Sequence, residues 1–183
     1  PPMLYLGFVG FVVPYAFGMA VMATGEKGDD WIHATRRWTL VSWLFLSLGL
    51  ILGGWWAYDV LGWGGYWAWD PVENAAFMPW LTGTAFLHSV MIQEKQGMLR
   101  RWNMALITMT YLLVVLGTFA TRSGIVSSVH SFAQSAIGPL FFIFLTGALI
   151  VSVMMLVRAW DGLKADRKLD SLLSRETAFM VNN

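Results

Sequence analysis

Cysteine is absent from the 183 residues, which excludes a disulfide framework, a zinc–thiolate site, an iron–sulfur site and a cysteine nucleophile. Charge is scarce as well: 13% of residues are charged, against about 25% in an average soluble domain. That leaves too little polar surface to cover a water-soluble globule. The formal net charge of +1 gives no broad basic face for nucleic acid. What is abundant is apolar: 57% of residues, with a mean hydropathy of +0.58. Disorder is excluded on the same ground, and an integral membrane protein remains. The chain opens on Pro1-Pro2 without a basic leader, and hydrophobicity rises again near its end, over Ala178-Phe179-Met180-Val181. It reads as an internal piece of a longer membrane protein, not as one that starts with a signal peptide.

A membrane span needs roughly 20 apolar residues. Met3 to Ala23, Leu40 to about Tyr58, Met104 to Ala120 and Pro139 to Val157 qualify as spans. Pro79 to Ile92 is shorter but sits inside a longer predicted helix. The expected fold is therefore all-α: a polytopic bundle of about five transmembrane helices forming one membrane region over 1–183, with short interfacial helices in the outer loops. Eleven of the 12 Lys and Arg fall in the first loop, the third loop and the tail with its adjoining helix end, leaving only Arg122 on the other side. The positive-inside rule then turns the loops 59–80 and 121–138 outward, to the periplasm or an equivalent space. The tail 161–183 starts with alternating charges and spaced leucines, as an amphipathic helix on the inner surface does, and leads toward a further helix.

Six of the 11 tryptophans lie between Trp55 and Trp80. An interfacial aromatic belt accounts for Trp55, Trp56 and Tyr58 at a helix end. The compact run Trp63-Gly64-Gly65-Tyr66-Trp67-Ala68-Trp69 is more than a belt needs, and a platform for a flat apolar ligand is the other reading. Asp70-Pro71-Val72-Glu73 then starts a helix running to about Glu94, with Asp70 and Glu73 as capping groups and a kink expected at Pro79. Glu73, Phe77, Trp80, Thr84, His88 and Met91 share one face of it, expected to look into the protein. His88 is thus an intramembrane ionisable group, which reads either as a haem-iron ligand or as a neutral imidazole bonded to a neighbouring helix. In the second outward loop, Ile125, Val129 and Phe132 recur at helical spacing and suggest a short interfacial helix that carries His130. Arg122 reads as a partner for a ligand carboxylate or as a snorkelling helix-end residue. His33 reads as a solvated loop residue.

The run from Trp63 to Ala75, followed by Phe77-Met78-Pro79-Trp80-Leu81 and by Arg122-Ser123-Gly124 through His130, resembles the tryptophan-rich WWD signature of haem-handling membrane proteins. Within that group it is most similar to the CcmF family, the haem lyases of cytochrome c maturation, with its nitrite-reductase assembly relative. The resemblance implies that Trp63, Trp67, Trp69 and Asp70, with Arg122, present haem b at the outer face, and that His130 is one of two outward axial ligands. It implies that His88 ligates a second, internal haem b, which keeps the delivered iron reduced. It further implies an activity: thioether attachment of haem to the Cys-x-x-Cys-His segment of an apocytochrome c, in the bacterial inner membrane or an organellar one. A haem chaperone, other cytochrome c maturation subunits and a quinol are the implied partners. The other ligand of each pair is expected before Pro1 and after Asn183. An electron-transferring b-type cytochrome and a haem exporter are the competing readings.

Overall fold

The computed structural model describes residues 1–164 except 27, 29 and 132–135. Its order is α1 (Pro2–Gly10), α2 (Val12–Thr24), α3 (Asp30–Asp59), α4 (Pro71–Gln96), α5 (Arg100–Ser123) and α6 (Ile137–Ala159). There is no strand among the described residues. Taking α1 and α2 as one segment, five helices are long and apolar enough to cross a membrane. The all-helical expectation holds, with instructive differences.

The first span is broken at Phe11. Pro14 is the cause: it has no amide to offer the Gly10 carbonyl, and its ring crowds that same group. α3 begins ten residues before the expected Leu40. Its first turns bury Trp31, Ile32, Thr35 and Thr39 along one side, so the polar loop is shorter than composition suggested. The Arg36 guanidinium on that extension donates to Glu94 Oε2 of α4 at 2.7 Å. His33, mostly exposed as expected, comes within 3.3 Å of the same carboxylate.

α4 fits its start signal closely and continues through Pro79. Proline there deprives the Ala75 carbonyl of its helical donor. That oxygen faces α5 at Gly117, where a methyl group would stand 3.2 Å from it. Thr82 Oγ1 bonds back to the carbonyls of Met78 and Pro79, closing the turn that follows.

In an apolar medium every polar group must find a partner within the protein. Two indoles achieve this between α3 and α4. Trp43 Nε1 donates to Thr84 Oγ1 at 2.8 Å, and Trp80 Nε1 donates to Ser47 Oγ at 2.8 Å. Each hydroxyl in turn donates to the other indole's own backbone carbonyl, Thr84 to Trp80 and Ser47 to Trp43, at 2.7 Å. Between α4 and α5, Asn103 Nδ2 donates to Gln93 Oε1 at 2.8 Å, and Ser89 Oγ donates to Asn103 Oδ1. All three side chains are buried. Asn103→Leu, similar in branching but larger, removes both of these interhelical bonds. It is expected to lower the thermal denaturation midpoint in detergent, at a cost of about 1–2 kcal/mol. An unchanged midpoint means that another group takes up the bonds.

The opposite ends of these helices gather the basic residues. Arg101 lies 4.5 Å over the Trp160 ring and donates from Nε to the Trp160 carbonyl at 2.8 Å, joining α5 to the end of α6. The expected amphipathic tail falls from residue 165 onward outside the described residues. Its first apolar residue, Leu163, is buried beside Val21 and Trp31.

Candidate haem-facing site

α3 ends at a turn rather than a cap side chain. Gly62, at φ 67, reverses the chain, and the Trp63 amide reaches back to the Ala57 carbonyl at 3.2 Å. The loop then folds onto its own helix. Tyr66 stacks on Tyr58 with centroids 4.5 Å apart. The Tyr66 carbonyl approaches Gly54 so closely that a methyl group there would stand 2.7 Å from the oxygen. Glycine at 54 is thus a condition of the loop's course.

Beyond Tyr66 the aromatics form a continuous series. Trp67 meets Trp69 edge-on at 6.1 Å and Phe77 edge-on at 5.9 Å. Phe77 stacks on Trp80 at 5.5 Å, and Trp80 stacks on Trp43 at 5.9 Å. These are the offset and edge geometries that ring quadrupoles favour. Trp63 and Trp69 remain exposed while Trp67 is half-buried, so the rings are arrayed but not consumed by a core.

Asp70 is where the two loops meet. Its Oδ2 accepts from the Val72 amide at 3.0 Å, the cap the sequence announces. The same oxygen accepts from Ser128 Oγ at 2.5 Å and faces His130 Nδ1 at 3.1 Å. Burial alone pushes the Asp70 carboxyl up. The hydrogen bonds from Ser128, His130 and the Val72 amide outweigh it and hold the group below the usual carboxylate range. An ionised carboxylate only accepts, so His130 carries its proton on Nδ1. In the neutral ring this leaves Nε2 as the acceptor, the arrangement a metal-ligating imidazole requires. Trp63 meets the His130 ring edge-on, centroids 5.2 Å apart and planes at 81°.

The segment carrying His130 is not the short helix that the spacing of Ile125 and Val129 suggested: residues 124–131 form turns. Serines are responsible. Ser123 Oγ accepts from the Ile125 amide, Ser128 Oγ accepts from the His130 amide, and Ser131 Oγ donates to the Ser128 carbonyl. Such local bonds compete with helical ones. Ile125 and Val129 are exposed, and Phe132 lies outside the described residues. Arg122 sits half-buried in the last turn of α5, at this same end.

His88 lies elsewhere, two turns of α4 below Trp80, and the expectation that it faces inward is corrected: it is exposed on this chain's surface. The bonded-imidazole reading is half right, since Nδ1 lies 2.8 Å from the Thr84 carbonyl of its own helix rather than a neighbour's. A carbonyl only accepts, so Nδ1 is the donor in this contact. The structure therefore brings Trp63, Trp67, Trp69, Asp70 and His130 together and leaves His88 as a separate position. Sequence reasoning overlooked Ser128, which ties Asp70 to the second loop. A serine two residues before a histidine is a turn signal that could have marked it.

Haem is what the resemblance implies, and the residues present fit its chemistry: a flat apolar ligand would meet ring faces and edges, with an imidazole beside them. Bundled apolar helices carrying an aromatic, histidine-bearing rim at one end make this a polytopic membrane protein. A family model described as "Cytochrome C assembly protein" matches residues 1–127. The chain belongs to the cytochrome c assembly protein family. It is 44% identical over 184 residues to the cytochrome c-type biogenesis protein CcmF of Haemophilus influenzae, covering 100% of this chain and 28% of that one. The CcmF of Escherichia coli is 43% identical over 183 residues, with the same shares covered. The cytochrome c-type biogenesis protein NrfE of Haemophilus influenzae is 50% identical over 133 residues, 73% of this chain and 21% of that one. Among solved structures, "Cytochrome c Heme Lyase CcmF" superposes with a TM-score of 0.78 at 41% identity, over 99% of this chain and 27% of the other. The chain thus spans about 28% of the length of these CcmF relatives.

Proposed function

We propose that this chain is the haem-presenting part of a cytochrome c haem lyase, which attaches haem covalently to an apocytochrome c. The observation that carries the reading is the Asp70–His130 pair, with His130 Nδ1 engaged and Nε2 available beside Trp63. Haem supplies the two vinyl groups that become thioethers with the Cys-x-x-Cys-His thiols. His130 would hold the iron of the substrate haem b. Asp70 fixes the imidazole's rotation and tautomer and strengthens it as a donor. Trp63, Trp67 and Trp69 give the porphyrin a rigid edge at small cost in side-chain entropy, and Arg122 is the nearby cation for a propionate. Thiol addition to a vinyl group gains most from holding both partners in place. A site lacking cysteine does not compete for the vinyls.

In this reading the tryptophan loop faces the periplasm or its equivalent, because the basic ends of the helices stay inside. The protein works beside other maturation subunits, a haem chaperone and the apocytochrome, with a quinol as electron source. His88 would hold a second haem b inside the membrane. The Thr84 carbonyl engages its Nδ1, which would leave Nε2 for the iron, with the other ligand coming from elsewhere in the full-length protein.

The test uses the full-length protein in cells lacking their own family member. Restored holocytochrome c and a Soret band in the purified protein are expected. His88→Ala is expected to remove the reduced b-type signal from that protein while the polypeptide still accumulates. A colourless wild-type protein overturns the reading, and a b-type signal that survives His88→Ala removes His88 from it.

A further inference from the structure

Trp69 stands at φ 57, in the left-handed region that bulky side chains rarely occupy. The same loop uses glycine at its other two left-handed positions, Gly62 and Gly64. Burial does not offset the strain, since Trp69 is 69% exposed, and the aromatic ring it meets is that of Trp67, edge-on. The backbone on both sides is held instead by the first turn of α4. Glu73 Oε2 accepts from the Ala68 amide at 2.9 Å and from the Asp70 amide at 3.2 Å. Asn74 Nδ2 donates to the Trp69 carbonyl at 3.2 Å. Of these three bonds a capping box uses only that from the Asp70 amide to Glu73, paired with the Asp70 side chain's own bond to the Glu73 amide. The bonds to Ala68 and to Trp69 contribute nothing to capping α4, yet together they bracket one residue. Strain persists where surrounding structure over-determines it, and it clusters where a side chain must be aimed.

We propose that Glu73 and Asn74 are positioning residues that lock Trp69 in its left-handed conformation and so erect its indole as a wall against the haem. The assignment rests on the haem reading of this loop. Glu73 touches no substrate; it acts through the Ala68 and Asp70 amides, and Asn74 acts through the Trp69 carbonyl.

The test uses the full-length protein in detergent, labelled with 5-fluorotryptophan, with Trp69→Phe identifying the Trp69 fluorine resonance. Without haem, Asn74→Ala is expected to shift and sharpen that resonance while those of Trp43 and Trp80 stay in place. On titration with haem b, Trp69→Ala and Asn74→Ala are each expected to weaken binding about fivefold, the scale of one aromatic contact. The double variant should bind no more weakly than Trp69→Ala, because both remove the same contact. Glu73→Gln keeps an oxygen that accepts from both amides and should behave as wild type, whereas Glu73→Ala should show the loss. An unmoved Trp69 resonance in Asn74→Ala, or losses that add, overturns the clamp. If the resonance responds as expected but Trp69→Ala and His130→Ala both bind haem as wild type does, the haem reading fails, and the proposal falls through its target.

Discussion

His130→Ala in the full-length protein is expected to abolish holocytochrome c formation while the polypeptide still reaches the membrane. The loss should be chemical rather than structural. With the imidazole gone, Asp70 keeps the Val72 amide and the Ser128 hydroxyl, so the start of α4 and the junction of the two loops survive. What disappears is an imidazole nitrogen whose lone pair is oriented for iron. Asp70→Asn gives a sharper contrast. Asparagine caps a helix about as well as aspartate, so α4 should form normally. The neutral amide holds the Nδ1 proton less strongly, and losses of an outer-shell partner of this kind typically cost about 10–100-fold. The yield of holocytochrome c is the measurement, with imidazole added to the medium as a rescue arm for His130→Ala. Wild-type yield from His130→Ala would remove the axial role, and equal failure of both variants with loss of protein would point to folding.

The second large effect concerns packing far from this site. α1 and α3 cross antiparallel at contact distance, and glycines make the approach possible. A methyl group on Gly7 would stand 2.5 Å from the Leu46 amide nitrogen, and one on Gly49 would stand 2.7 Å from the Leu4 backbone. Neither neighbour is the end of a flexible side chain, so the helices themselves must separate. Membrane helices associate through close packing rather than through a hydrophobic drive, which makes such crossings sensitive to a single methyl. Gly7→Val is expected to cost about 3 kcal/mol or more and to remove most full-length protein from the membrane fraction, seen as lost monodispersity on size exclusion. Gly53→Ala on the same helix as Gly49 is the control. Its added methyl meets nothing within 4 Å, so accumulation should be unchanged or slightly improved, since alanine favours a helix over glycine by about 0.5–1 kcal/mol. Loss in both variants would mean that the effect is not specific to the crossing, and loss in neither would contradict the close crossing.

These outcomes separate features written locally in the chain from those that needed the fold. Asp70-Pro71-Val72-Glu73 announced a helix start, and α4 begins there because an N-cap oxygen, a proline and a returning carboxylate act within four residues. Local competition also explains two misreadings. Pro14 interrupts the first span through its effect on Gly10, a short-range signal that an apolar run conceals. Ser123 and Ser128 turned a helical spacing into turns by bonding their own backbone. The beginning of α3 was missed because its charged residues masked a buried stripe, and that stripe has meaning only once α2 and α4 lie beside it.

Composition and periodicity alone determined that the described residues form an all-helical bundle with five membrane-length apolar segments and an aromatic loop at one end. Both depend on interactions among residues a few positions apart and on the bilayer as solvent. Only the tertiary structure decided that Asp70 meets His130 and Ser128, some 60 positions away, that Trp63 lies against that imidazole, and that His88 stands exposed. Those contacts follow from how α4 packs against α3 and α5, and packing depends on shape complementarity between segments that the linear order keeps apart.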